Sequence, residues 1–255
     1  MKPSQKILRS LRPLAAILFS VLVLSASSCR KETEEDPTVS TDDAADAIEA
    51  SLAKSSGGMT NEMSSMAQLC DDGGVYRLMP DATLSTPIQC GVQYDSTITR
   101  SFSNSTTSFN YSVSWDYMLT CNNNVPSSFA FNHTMNGNYD APRVSSNDNA
   151  NGGWTITGFE NTSSVLTCNG NYTRNGSQTS KVRNHITFTS EITLNMTNVT
   201  INKSDRTVAG GSASVSISGS TSAGKAYSFT GQIVFNGNGS ATLTLNGNNY
   251  TITIS

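Results

Sequence analysis

The side chains best suited to covalent, acid–base or metal chemistry are few: five cysteines, two histidines and 19 carboxylates in 255 residues. Cys70, Cys90, Cys121 and Cys168 stand in the body of the chain. No two of them are in C-x₂-C spacing, and the histidines, His133 and His185, are far apart, which disfavours a zinc set. An even number of cysteines suits disulfides if the chain is exported. Three pairings are open, and nearness in sequence favours Cys70–Cys90 with Cys121–Cys168. His133 continues the apolar run Phe129, Phe131, His133, Met135 and reads as a packed core residue. His185 stands at a strand start beside Arg183. Asp116 lies between Trp115 and Tyr117, a combination suited to sugars. It falls on the wet face of a strand, with no partner acid nearby in sequence, whereas a glycosidase needs two carboxylates facing one cleft. Asn147–Gly152 imitates the first half of a calcium loop. It has Asn147 at position 1 and Gly158 at position 12, where Glu is required, and reads as a polar loop between strands. We assign no catalytic residue, no metal and no cofactor.

The fifth cysteine has a different setting. Lys2, Lys6, Arg9 and Arg12 precede the apolar stretch Leu14–Leu24, which is too short to span a bilayer and right for a signal peptide. Ala26-Ser27-Ser28-Cys29 follows. This end of the chain resembles the signal of bacterial lipoproteins, in which the cysteine of the lipobox becomes the lipidated first residue. The resemblance implies a signal peptide over 1–28 and lipidation at Cys29. Ordinary secretion is the alternative, since Ala26 and Ser28 also satisfy the small-residue rule. After Cys29 come Lys31, Glu32, Glu34, Glu35 and Asp36. A basic residue and clustered acids at this place resemble the surface-export signal of Bacteroidota lipoproteins, which implies the outer membrane and its outward face. A self-repelling tether over 29–40, with the domain on the periplasmic face, is the plainer reading.

Charge agrees with a tether and a neutral body. Loss of residues 1–28 removes four of 16 basic residues and none of the 19 acidic ones, leaving a net charge of −7. Arg30–Asp72 carries 11 acidic and 3 basic residues, whereas Gly73 onward carries 8 and 9. No basic stripe exists, so nucleic-acid binding is disfavoured.

Residues 41–72 form a helical segment. Asp42 and Asp43 suit the first turn of a helix that begins at Thr41 and runs to Cys70. Ala45, Ile48, Leu52, Ser55, Met59, Met63 and Met66 make one apolar stripe, interrupted at Gly57-Gly58, where a break is expected. The stripe is expected to pack on a sheet.

Residues 73–255 alternate. Phe109, Tyr111, Val113, Trp115, Tyr117 and Leu119 keep period 2, and so do Ile186 to Leu194, Val215 and Ile217, Tyr227 to Phe235 and Tyr250 to Ile254. Such alternation is the antiparallel pattern, with one face buried and one wet. The wet face is Ser, Thr and Asn. Asn246-Gly247 signals a two-residue hairpin, and a phase slip at Thr197-Asn198 signals a bulge. The fold class is mainly β: a large curved antiparallel sheet, barrel-like or half-open, with an N-terminal α-helix against it. A two-sheet β-sandwich is the alternative.

Three functions suit this reading. The first is a non-catalytic envelope or cell-surface lipoprotein with a binding or structural role, held to the membrane by its N-terminal lipid and meeting a protein, glycan or lipid. Loop aromatics such as Trp154 or Tyr139 are its expected contacts. The second is a carrier of an apolar ligand, which needs an unfilled cavity between helix and sheet. The third is a carbohydrate-active hydrolase, which needs paired carboxylates.

Overall fold

Alternation of apolar and polar residues decides the architecture. A computed structural model describes residues 38–71, 74–78, 84–159 and 162–255. Ten strands form one antiparallel sheet: β4 (Gln93–Ser103), β5 (Ser108–Asn122), β6 (Val125–Asp140), β7 (Val144–Thr157), β8 (Val165–Ser180), β9 (Thr187–Asn202), β10 (Val208–Thr221), β11 (Ala226–Gly237), β12 (Ser240–Leu245) and β13 (Asn248–Thr253). Each pairs with its neighbour in sequence, from β4 at one edge to β13 at the other. The sheet does not close into a barrel, and its ten strands make one sheet rather than two. Three earlier strands, β1 (Cys70–Asp71), β2 (Gly74–Leu78) and β3 (Leu84–Pro87), make a small separate sheet. Residues 1–28, expected to be a signal peptide, Cys29 and the run Lys31, Glu32, Glu34, Glu35, Asp36 lie outside the described residues.

Turn chemistry holds the register. Asn246 and Gly247 have φ of 47° and 83°. Both are positive, as a type I′ turn requires, and they seat Leu245 opposite Asn248. Leu243, Leu245, Ile252 and Ile254 are thereby buried together. Asn198 has φ 51° at the expected bulge, and the pairing of β9 with β10 shifts between Thr200 and Thr197.

The helical segment is two helices. α1 (Thr41–Leu52) and α2 (Met59–Leu69) are separated by a 3₁₀ turn at Lys54–Ser56 and by Gly57, whose φ is 66°. A β-carbon on Gly57 would come within 2.9 Å of the Tyr111 ring, so the break is also a point of close approach to the sheet. The helix begins at Thr41 as expected and is capped by Ser40: its Oγ accepts from Asp43 N at 3.1 Å, and Asp43 reaches back to Ser40 N. The apolar stripe packs as core. Ile48, Leu52, Met59, Met63, Met66 and Leu69 are all fully buried, among aromatics of β5 and β6 such as Tyr117, Phe129 and Phe131. Ser55, the weakest member of the stripe, is exposed.

The helices also close the β13 edge. Glu49 Oε1 accepts from Thr253 N at 2.9 Å, and Ile254 O accepts from Lys54 N at 3.2 Å and from Thr60 Oγ1 at 2.7 Å. Tyr250 donates to Asp42 Oδ1 at 2.9 Å.

The cysteine pairing expected from sequence nearness is not the one formed. Cys90 is bonded to Cys121, with Cα atoms 5.7 Å apart. Cys70 and Cys168 are free thiols, Cys168 fully buried. The meander explains this. Cys90 bridges to Leu119 beside Cys121 on β5, whereas Cys168 lies on β8, three strand spacings of about 4.8 Å from β5 and beyond a disulfide's reach.

Candidate binding face

The helices cover one face of the sheet and leave the other open. Because the register between strands is regular, outward residues fall into rows. One row runs Asp95, Asp116, Asn132, Gly153, Asn171, Asn195 across β4 to β9, each paired with the next. Asp116 Oδ1 accepts from Gln93 Nε2 at 3.0 Å and from Asn132 Nδ2 at 2.8 Å. Gly153 sits between two amides: a β-carbon there would meet Asn132 Oδ1 at 2.9 Å and Asn171 Oδ1 at 4.0 Å. The missing side chain leaves a niche walled by two carboxamides, with an oriented carboxylate one strand away.

A second opening lies along the same strands. Asn136, Asn138, Asn147, Asn149 and Asn175 ring a shallow depression of about 470 Å³ over Gly137 and Gly176. This corrects the reading of Asn147–Gly152 as a loop. The segment belongs to β7, so Asn147, Asn149 and Asn151 point outward while Asp148 points into the core. Strand geometry sends alternate side chains to opposite faces and cannot wrap them around one ion. Among the described residues, no three or more His, Cys, Asp and Glu side chains are grouped to hold a metal.

Trp154 and Tyr139 are not loop aromatics. They occupy inward positions of β7 and β6 and are buried. The outer face therefore offers hydrogen-bond donors and acceptors rather than these rings for stacking. Asp116 does have a partner acid, since Asp95 lies directly opposite on β4. Both are exposed on the open face rather than facing a cleft.

Beneath the depression, on the inner face, lies a polar cluster. Arg174 Nε donates to Asp148 Oδ2 at 2.9 Å, with both side chains almost wholly buried. Its Nη2 donates to Tyr111 Oη, and its Nη1 donates to the Ala50 carbonyl of α1 at 3.3 Å. Tyr111 donates to Asp148 Oδ1 at 2.8 Å. The guanidinium stands 4.7 Å from the Tyr139 ring centre and 5.4 Å from that of Tyr111. Burial disfavours the Arg174 cation most strongly, but Asp148 together with Tyr172, Tyr111 and Tyr139 outweighs it and pushes the pKa up. The group ties α1 to β5, β7 and β8. Arg174 and Asp148 break the apolar alternation of their strands, and that interruption was the one signal of the cluster in the sequence.

A second buried acid, Glu62 of α2, accepts from Trp115 Nε1 at 2.9 Å and lies 3.5 Å from Arg100 Nε. Burial raises its pKa against the opposing pull of Arg100 and Trp115. His133 packs 4.6 Å from the Trp154 ring, as a core histidine should. Neither ring nitrogen finds a partner among the described residues, and burial lowers its pKa to about 3. His185 lies in the turn before β9.

Comparison with family models, with curated proteins and with solved structures finds no match to this chain. The role of the open face therefore rests on its own chemistry.

Proposed function

We propose that this chain is a non-catalytic, lipid-anchored envelope protein that displays the outer face of its sheet to a neutral, polyhydroxylated partner such as a glycan. The niche at Gly153 is the observation that carries the reading. Amides of Asn132 and Asn171 both donate and accept, and Asp116, already oriented by Gln93 and Asn132, accepts from a hydroxyl. A near-neutral face of Asn, Ser and Thr suits an uncharged ligand better than an anion. The inner face supports the carrier reading less well, because Leu52, Met59, Met63 and Met66 of the helices are fully buried in the core there.

Two experiments test the two halves of the proposal. The full chain is titrated against a panel of neutral polysaccharides. Asp116→Ala and Gly153→Val are each expected to weaken binding tenfold or more while the melting transition stays in place. No binding to any member, or binding untouched by both changes, overturns the surface reading. In cells, Cys29→Ser is expected to move the protein to the soluble fraction. Replacement of Lys31, Glu32, Glu34, Glu35 and Asp36 by Ala is expected to keep lipidation and reduce cleavage by external protease. A Cys29→Ser protein still held in the membrane overturns the anchor.

A further inference from the structure

The two edges of the sheet are treated differently. At β13, Glu49, Lys54 and Thr60 satisfy backbone groups of the last residues. At β4, no strand pairs with the outer side among the described residues. β4 lacks most of the usual devices that blunt an edge, and its inward charge, Arg100, lies 3.5 Å from Glu62. It holds no Lys, Pro or Gly, and its eleven residues pair with β5 without a register shift. The Cys90–Cys121 bond and the stack of Tyr94 on Tyr117, centres 5.9 Å apart, fix it against β5. Its inward residues are incompletely covered: Tyr94 and Ile98 are half-buried, and Phe102 is 41% exposed.

The sequence of β4 is self-complementary about its midpoint. In the antiparallel register that pairs all eleven residues with a second copy, Ile98 faces itself. Tyr94 then faces Phe102, Ser96 faces Arg100, Thr97 faces Thr99, Asp95 faces Ser101 and Gln93 faces Ser103. Apolar residues meet apolar ones on the inner face, Thr meets Thr on the outer face, and no like charges are opposed. Shifting the strands by two residues breaks this, because Ile98 then faces Ser96 or Arg100. Cross-strand pairs of this kind are the unit of sheet stability, and an exposed edge supplies the main-chain hydrogen bonds.

We infer that β4 is a homodimerisation edge, joining two copies of this chain into one continuous sheet about a two-fold axis through Ile98. The axis is normal to the sheet, so the helices of both copies lie on one side and the open faces lie side by side on the other. The inference rests on the edge alone and is independent of what the open face binds.

The test uses the full lipidated chain in detergent. In the dimer the Ile98 Cα atoms are about 4.5–5.5 Å apart, within disulfide range. Ile98→Cys is therefore expected to give a reducible covalent dimer as the main species under mild oxidation. Asn249→Cys, on the opposite edge, serves as the control and is expected to stay monomeric on the gel. Cross-linking of Ile98→Cys no greater than the control overturns the inference. A second arm needs no disulfide. Thr97→Lys with Thr99→Lys opposes like charges across the axis and is expected to weaken dimerisation at least tenfold in sedimentation. Thr97→Lys with Thr99→Glu opposes unlike charges and is expected to restore it. Equal dimerisation of both double variants overturns the proposed register.

Discussion

Gly152 and His133 lie directly opposite each other on β7 and β6, and a β-carbon on Gly152 would fall 2.5 Å from His133 Cε1. The imidazole fills the space that the glycine leaves. Gly153, the next residue, faces the other way, and a β-carbon there would meet only side-chain ends, Asn132 Oδ1 at 2.9 Å and Asn171 Oδ1 at 4.0 Å. Gly152→Ala is therefore expected to destabilise the protein by about 1–3 kcal/mol, the usual cost of overpacking. Gly153→Ala is expected to leave stability almost unchanged. Urea unfolding midpoints for the two variants check the contrast.

The same imidazole makes the protein sensitive to acid. Burial lowers the folded-state pKa of His133 to about 3, against about 6.5 for an unfolded chain. Between those values the unfolded state binds the extra proton, so this stability is complete above pH ~6.5 and is lost as pH falls toward ~3. The slope is at most about 1.4 kcal/mol per pH unit. His133→Phe is expected to remove that part of the slope, as read from unfolding free energies over the same pH window. An unchanged slope would mean that His133 is not held neutral.

Arg174 and Asp148 make an ion pair whose worth lies in its completeness. Arg174→Met leaves Asp148 charged and buried, and is expected to cost about 3–5 kcal/mol. Arg174→Met with Asp148→Leu removes both charges and is expected to recover most of that loss. A double-variant cycle by chemical denaturation measures the coupling. Additive effects would show that the pair does not act as a unit.

One bridge, Cys90–Cys121, and two thiols, Cys70 and Cys168, are expected from non-reducing peptide mapping. Cys168 is expected to resist alkylation until the protein unfolds, because burial pushes its pKa to about 12 and excludes reagent. Replacing Cys90 and Cys121 with Ser is expected to cost about 2–4 kcal/mol.

Gly247→Val is expected to cost about 1 kcal/mol or more, since a β-branched residue resists the positive φ of the last hairpin. Asn246→Gly, which keeps that conformation accessible, is expected to be nearly neutral. Melting temperatures of the two variants provide the comparison.

Local features of this fold are legible in the residue order. The burial of Phe109 to Leu119, the Asn246-Gly247 turn, the bulge at Asn198 and the break at Gly57 each depend on residues within one turn or strand. What depends on register between strands is not legible. Asp95 faces Asp116, Asn132 leans toward Gly153, and Arg174 meets Asp148 only after several hairpins have set their phases. The cysteines show the same limit, because nearness along a meander says little about which strands adjoin. Asn147–Gly152 misleads for a related reason. Its composition is that of a turn, yet its neighbours on β6 and β8 hold it extended, and pairing overrides propensity.

The contacts of Ile254 with Lys54 and Thr60 set an order of assembly. Every strand of the large sheet after β4 pairs with the one made just before it, so the meander can zip forward as the chain emerges, one short loop closure at a time. The helices, first to be synthesised in the described domain, have to wait. Their final partner is the penultimate residue of the sequence, 194 positions beyond Thr60. Until Ile254 arrives, the stripe of Ile48, Leu52, Met59 and Met63 has an unfinished bed to lie on. A chain truncated by six residues at its end, Tyr250 to Ser255, would thus lose a strand and also leave the N-terminal helices unlatched. A chaperone-accessible apolar surface would then persist at the opposite end of the chain from the deletion.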